Sequence, residues 1–284
     1  MHAKCIAFAH HKGGTGKTTS CINIAGELVK RGKKVLVVDM DPQASATSGL
    51  RINKKYLPFS LYDALFDHCH GEGKMRLRDI IISTEIDNLH LAPAELDLAG
   101  LLVGMQDGRN VTHILDRALD DVRDLYDYIL IDTPPSYTFL LINAIVAADS
   151  IVLPLDTGYF SMDSIETFNE ILKDIESELG IKKPIETIIV TKFNESKTSS
   201  FLMDLVNRVP LASRFFPAED PIKDLEDKLR AYMSVGTKFS GDLFFVPYSK
   251  DVYAAQKKGL PVSHSNAGAT IKNAYAGITE KIME

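Results

Sequence analysis

The sequence predicts an α/β fold: a doubly wound, mostly parallel sheet with helices on both faces. Three observations lead there. Short runs of unbroken hydrophobicity recur along the chain, such as CIAFA at Cys5–Ala9 and YILID at Tyr128–Asp132, and strands buried on both faces read this way. Segments with helical spacing separate these runs, so successive strands are joined by crossovers. A glycine-rich stretch, HKGGTGKTT at His11–Thr19, lies between the first run and the first helical segment.

Taken in order, Cys5–Ala9 is the first strand. Thr18–Arg31 is a helix, with Ile22, Ala25, Leu28 and Val29 near helical spacing and Gly32 to end it. Lys34–Asp39 (KVLVVD) is the second strand. Asn88–Ala92 is a weaker third, followed by a short helix from Ala94. Val111–Leu125 reads as one helix and Tyr128–Asp132 as a strong strand. Ser150–Leu155 and Thr187–Thr191 are strands flanking a helix over Ser161–Leu179. Leu243–Val246 is a late strand, and a helix follows Ser265. Residues 51–87 and 195–240 are the least regular and read as elaborations of a single domain spanning 1–284. A charged, helix-like segment within 215–238 reads as a solvated face.

Composition narrows the function. The 284 residues are 45% hydrophobic and 25% charged, with a formal net charge of −6. That excludes a global basic field, so any contact with nucleic acid must be a local patch. The three cysteines, Cys5, Cys21 and Cys69, lack metal-pair spacing, and an odd number argues against a disulfide framework. A reducing cytoplasm is the expected location. The start of the chain lacks the apolar core of a secretory signal. No run reaches the roughly 18 apolar residues of a membrane span.

The glycine-rich stretch carries the chemistry. A phosphate loop ends in Gly-Lys-Ser/Thr, and Gly16-Lys17-Thr18 fits. Its leading glycine would fall at position 11, which is histidine, with Lys12 and the Gly13-Gly14 pair beside it. Glycines let backbone N–H groups approach phosphate oxygens, and the helix that follows adds favourable partial charge. Lys17 then bridges the terminal phosphates, Thr18 binds magnesium and Thr19 reaches the first phosphate. Two acidic stretches follow at strand ends, on the ligand face of an open sheet. Asp132 is positioned to hold magnesium. Asp41 is the candidate to orient the attacking water, with Asp39 beside the metal.

HKGGTGKTT, VDMDPQASAT and ILIDTPPS together resemble the ParA/MinD family of deviant Walker A ATPases, and within it the short ParA proteins without an N-terminal DNA-binding domain. LPLDTGYFSMDSI and TKFN add to the likeness, which is dense over 4–50 and 127–170. The resemblance implies ATP and Mg2+ as cofactors and slow, partner-stimulated hydrolysis. It implies that Lys12 crosses a homodimer interface to the partner's phosphates. Gly13, Gly14, Thr15, Gly16, Lys17, Thr18 and Thr19 would line the triphosphate. Asp41 would be the hydrolytic aspartate and Asp132 the magnesium carboxylate. Asn194 and Pro247 would lie near the base, and Pro134-Pro135 in a switch sensing the terminal phosphate.

The same resemblance implies partition or positioning of a plasmid or chromosome, through non-specific DNA binding by the ATP dimer and a centromere-binding or cargo-adaptor protein. Nucleoid association would follow. Lys250, Lys257 and Lys258 are the candidate DNA contacts, with Lys272 and Lys281 later. The alternatives are a positioning ATPase for a non-DNA cargo and a nucleotide-gated adaptor with little turnover. The C-terminal AYAGITEKIME lacks a basic amphipathic face, so no membrane partner is expected. The cysteines do not suit a cluster-carrying iron protein of this superfamily, and Tyr275 alone does not make a tyrosine-rich kinase tail. His11 has no assigned role.

Overall fold

A computed structural model of the chain describes residues 2–70, 75–101, 111–156, 162–193 and 241–284. Eight strands form one sheet: β1 (Lys4–Phe8), β2 (Val35–Asp39), β3 (Ile82–Ser83), β4 (Leu89–Ala92), β5 (Tyr128–Asp132), β6 (Ser150–Asp156), β7 (Ile185–Phe193) and β8 (Asp242–Pro247). Their order is β3-β4-β2-β5-β1-β6-β7-β8. Every pairing is parallel except that of the edge strand β3 with β4. The sheet is therefore mostly parallel, as the unbroken apolar runs require.

Alternation along β1 shows how both faces are used. Cys5 and Ala7 join one core cluster, together with residues of α3 (Leu61–His70), α5 (Ile114–Leu119), α6 (Phe139–Ala147) and α7 (Met162–Leu179). Ile6 and Phe8 join the other, with α1 (Lys17–Lys30) and the C-terminal helix Ala269–Met283. Residues of α1 are buried on two sides, against the sheet and against that C-terminal helix.

The structure departs from the sequence reading in three places. The stretch 51–87 holds regular elements, namely α3, α4 (Leu77–Ile80) and β3. Helix α6 was not expected; its sequence FLLINAIVA is buried almost throughout and carries no polar stripe. Val111–Leu125 is not one helix, because α5 is flanked by 3-10 turns at Val111–His113 and Arg123–Leu125. Asn143 of α6 sets the start of α5, its side-chain oxygen accepting from the N–H groups of Ile114 (3.0 Å) and Leu115 (3.2 Å). A short α2 (Ser45–Gly49) follows β2, and α8 (Lys250–Lys257) precedes α9, the helix Ala269–Met283. The charged segment within 215–238 lies outside the described residues.

Candidate functional site: a phosphate loop flanked by two strand-end carboxylates

The loop between β1 and α1 sits at the carboxyl end of a central strand, between β5 and β6. Two of its glycines are in left-handed conformation, Gly14 with φ 76° and Gly16 with φ 92°. The turn therefore falls on Gly14 and Gly16, whereas Gly13 lies against Pro135. A Cβ at Gly16 would meet Thr191 Cγ2 at 2.9 Å, so glycine is required there on two counts. No side chain caps the first turn of α1, which leaves its leading N–H groups for an anion.

The charged side chains converge beneath this loop. Lys17 is buried, and its Nζ donates to the Lys12 carbonyl at 2.9 Å. Burial pushes its pKa down, against the pull of Asp132 and Asp41. Asp39 and Asp132 are register partners on β2 and β5, and both are wholly buried. The Thr18 hydroxyl donates to Asp132 Oδ2 at 2.6 Å, while Asp132 Oδ1 has no hydrogen-bond partner among the described residues. Burial and the neighbouring Asp39 drive the Asp132 pKa well up, opposed by the Thr18 hydrogen bond and Lys17. A buried carboxylate oxygen without a donor, beside a hydroxyl and a lysine, suits a hard divalent cation. Thr18 and Asp132 are the residues that could hold one.

Asp39 is differently employed. Its oxygens accept from Asp41 N (3.2 Å), Thr47 N (2.8 Å) and Thr47 Oγ1 (2.7 Å). Burial nevertheless raises its pKa to about 6. Asp39 therefore organises the loop after β2, and Thr47 passes the constraint on by accepting from Ala94 N at 3.1 Å. Asp41, also buried, accepts from Gln43 N at 2.9 Å in a local turn. Beside it opens a cleft of about 400 Å3, lined by Pro42, Gln43, Leu98, Pro134, Pro135 and Phe139 among others.

Lys12 is half-buried at the mouth of the loop. Asn194 lies outside the described residues. Pro247 ends β8 as the register partner of Phe193, the last residue of β7. Lys250, Lys257 and Lys258 are exposed and lie on or next to α8, not on the last helix. Lys257 sits over the Tyr253 ring, 4.8 Å from its centroid. The apolar residues Ile271, Tyr275, Ile278 and Ile282 of α9 are buried in the core.

Sequence reasoning missed several residues that hold the loop. Gln256 of α8 donates to Thr19 Oγ1 at 2.9 Å, a contact across 237 positions with no local signal. The Thr191 hydroxyl shares its one proton between the Thr15 carbonyl at 3.0 Å and the Leu155 carbonyl at 3.1 Å. Lys192 donates to the Gly14 carbonyl at 2.9 Å and pairs with Asp156. His10 is buried and its Nδ1 accepts from Lys12 N at 3.0 Å.

A family model described as an AAA domain matches residues 3–186. The sporulation initiation inhibitor protein Soj of Bacillus subtilis is 38% identical over 188 residues, covering 66% of this chain and 72% of its own. The chromosome-partitioning ATPase Soj of Treponema pallidum is 29% identical over 283 residues, covering 99% and 97%. Among solved structures, an apo McdA from Cyanothece superposes with a TM-score of 0.76 at 21% identity, covering 99% of this chain and 100% of that one. MinD of Pyrococcus horikoshii, complexed with Mg-ADP, gives 0.68 at 20% identity, covering 99% and 96%. At these identities the structural likeness carries the fold alone.

Proposed function

The chain belongs to the AAA-domain family of ParA/MinD type, and on that footing we propose that it is a magnesium-dependent ATPase whose ATP-bound dimer positions DNA. The observation that carries the nucleotide half is the Thr18–Asp132 pair beside Lys17, with one Asp132 oxygen left for a cation. Magnesium there would compensate charge on the terminal phosphates, and phosphoryl transfer is catalysed mainly by such positioning and compensation. Thr18 and Asp132 hold the ion, Lys17 meets the terminal phosphates, and Asp41 orients the attacking water. Gly13 to Thr19 line the triphosphate, and Asn194 and Pro247 border the base.

Lys12 acts on the partner protomer's phosphates, which makes turnover depend on dimerisation. The whole chain acts as one domain in this reading. DNA is held through Lys250, Lys257 and Lys258, doubled by the dimer, and a centromere-binding or adaptor protein stimulates hydrolysis in the cytoplasm. Non-specific binding of this kind needs few phosphate contacts and weakens steeply with salt.

The test measures ATP hydrolysis, oligomeric state and DNA retention together. Lys12→Ala should lose dimer-dependent turnover. Asp41→Ala should keep ATP binding and dimerisation but stop hydrolysis, and full turnover in that variant would refute its role. DNA retention that is absent with ATP, or insensitive to salt, would leave the DNA reading without support and favour a non-DNA cargo.

A further inference from the structure

His10 stands next to the one position where the loop departs from the usual pattern, and its ring is built into the loop. Its Nδ1 accepts the Lys12 N–H at 3.0 Å. The Lys12 carbonyl in turn accepts from Lys17 Nζ at 2.9 Å. One residue is thus held at both ends of its backbone, by a histidine on the N–H side and by the buried lysine on the carbonyl side. The His10 ring is fixed by stacking, 4.7 Å between centroids to His11 and 5.8 Å to Phe168 of α7. Phe168 is wholly buried.

The protonation state follows from this geometry. Burial, with His11, Lys17 and Lys12 nearby, lowers the His10 pKa to about 3, so the ring is neutral in any working range. A neutral ring that accepts at Nδ1 carries its proton on Nε2. The lone pair at Nδ1 is then permanently available to Lys12.

We infer that His10 is a positioning residue for Lys12 and Lys17: its ring nitrogen fixes the Lys12 backbone, and through it the direction in which the Lys12 side chain leaves the loop and the carbonyl that holds Lys17. This rests on the reading of both lysines as phosphate contacts. The His10–Lys12 hydrogen bond itself does not, and that separates the two tests.

Two substitutions divide the ring from the acceptor. His10→Phe keeps an aromatic on Phe168 and removes the acceptor. His10→Asn loses the ring but offers a side-chain oxygen to the N–H two residues on, as in an Asx turn. Three measurements apply: amide exchange at Lys12 without nucleotide, ATP affinity, and kcat with KM for hydrolysis. The Phe variant should exchange the Lys12 amide faster and lose roughly tenfold or more in kcat/KM, the scale of a buried N–H left unpaired. The Asn variant should recover most of both. Equal behaviour of the two variants, or better function with Phe than with Asn, would overturn the inference in favour of ring packing. Imidazole nitrogen spectra of the unmodified protein provide a check without substitution: the Nε2–H form is expected, and an Nδ1–H form overturns the inference. If the unmodified protein fails to bind ATP, the phosphate-site reading fails, while amide exchange and the tautomer still decide the role of His10.

Discussion

Gly26 in the middle of α1 gives a prediction whose sign depends on how the C-terminal part of the chain packs. Replacing a mid-helix glycine by alanine ordinarily stabilises by about 1 kcal/mol. Here the added Cβ would fall closer than 3.0 Å to both Cβ and Cγ of Pro261 and 2.8 Å from Ser263 Oγ. Carbon atoms in contact sit at about 3.5–4.0 Å, so the Pro261 ring, or α1, has to move. The proline is held in place, since the next residue's N–H donates to Asn23 of α1 at 2.7 Å. Overpacking of this kind costs about 1–3 kcal/mol, which exceeds the helix gain over most of that range. Gly26→Ala should therefore destabilise by up to about 2 kcal/mol net, and lower Tm by about 2–4 °C for each kcal/mol. Urea unfolding followed by circular dichroism, with a double-mutant cycle against Pro261→Gly, measures both the net effect and the coupling. A Gly26→Ala protein more stable than the parent, or zero coupling with Pro261, would refute the packing of this segment on α1.

Two further predictions concern the loop after β2. Ala44 adopts a left-handed conformation, with φ 55°, which costs a non-glycine residue about 1–2 kcal/mol; Ala44→Gly should raise the unfolding free energy by up to about 1 kcal/mol, and a loss of stability would show that the methyl group packs better than its strain suggests. Asp39 has its pKa raised from 3.8 to about 6, so the folded protein binds this proton more tightly than the unfolded chain. Its contribution is fully present below pH 4 and is lost as pH rises through about 6, a difference of about 3 kcal/mol. Urea midpoints of the nucleotide-free protein between pH 4 and 7 should fall more steeply than those of Asp39→Asn, and parallel pH profiles would refute the assignment.

Much of the fold was legible because buried parallel strands announce themselves. The strands β1, β2, β5, β6 and β7 each contain a continuous apolar stretch, and the structure begins and ends them within a few residues of the sequence reading. Helix α6 escaped because a helix buried on every side has no period to detect. Helix α3 did carry a signal: Leu61, Ala64 and Leu65 are buried at helical spacing, and Asp63 accepts from Ser60 N at 2.7 Å, as in a helix-starting box. At the candidate site, the residues proposed to meet phosphate stand out in the sequence because glycine, lysine and threonine occur there in a fixed order. Their supports do not, since Gln256, Thr191 and Lys192 act across long sequence separations. His10 lies one residue outside the motif, and only geometry distinguishes it from His11.

The pins on the phosphate loop are unequally distributed. On the β7 side, Thr191 and Lys192 hold the Thr15 and Gly14 carbonyls, and Thr191 closes against Gly16. On the β2 and β5 side, Asp41 holds a turn of its own, and an apolar cleft separates it from Pro134 and Pro135. One wall of the site is thus rigid before any ligand arrives, which reduces the ordering cost of binding. The other wall is tied below, through Asp39 and the Thr18–Asp132 pair, but borders the open cleft above them. Any difference between a triphosphate and a diphosphate should then be felt on one side only, and travel outward through the Asp41 and Pro134–Pro135 segments, leaving the β7 side as the fixed frame against which that motion is read.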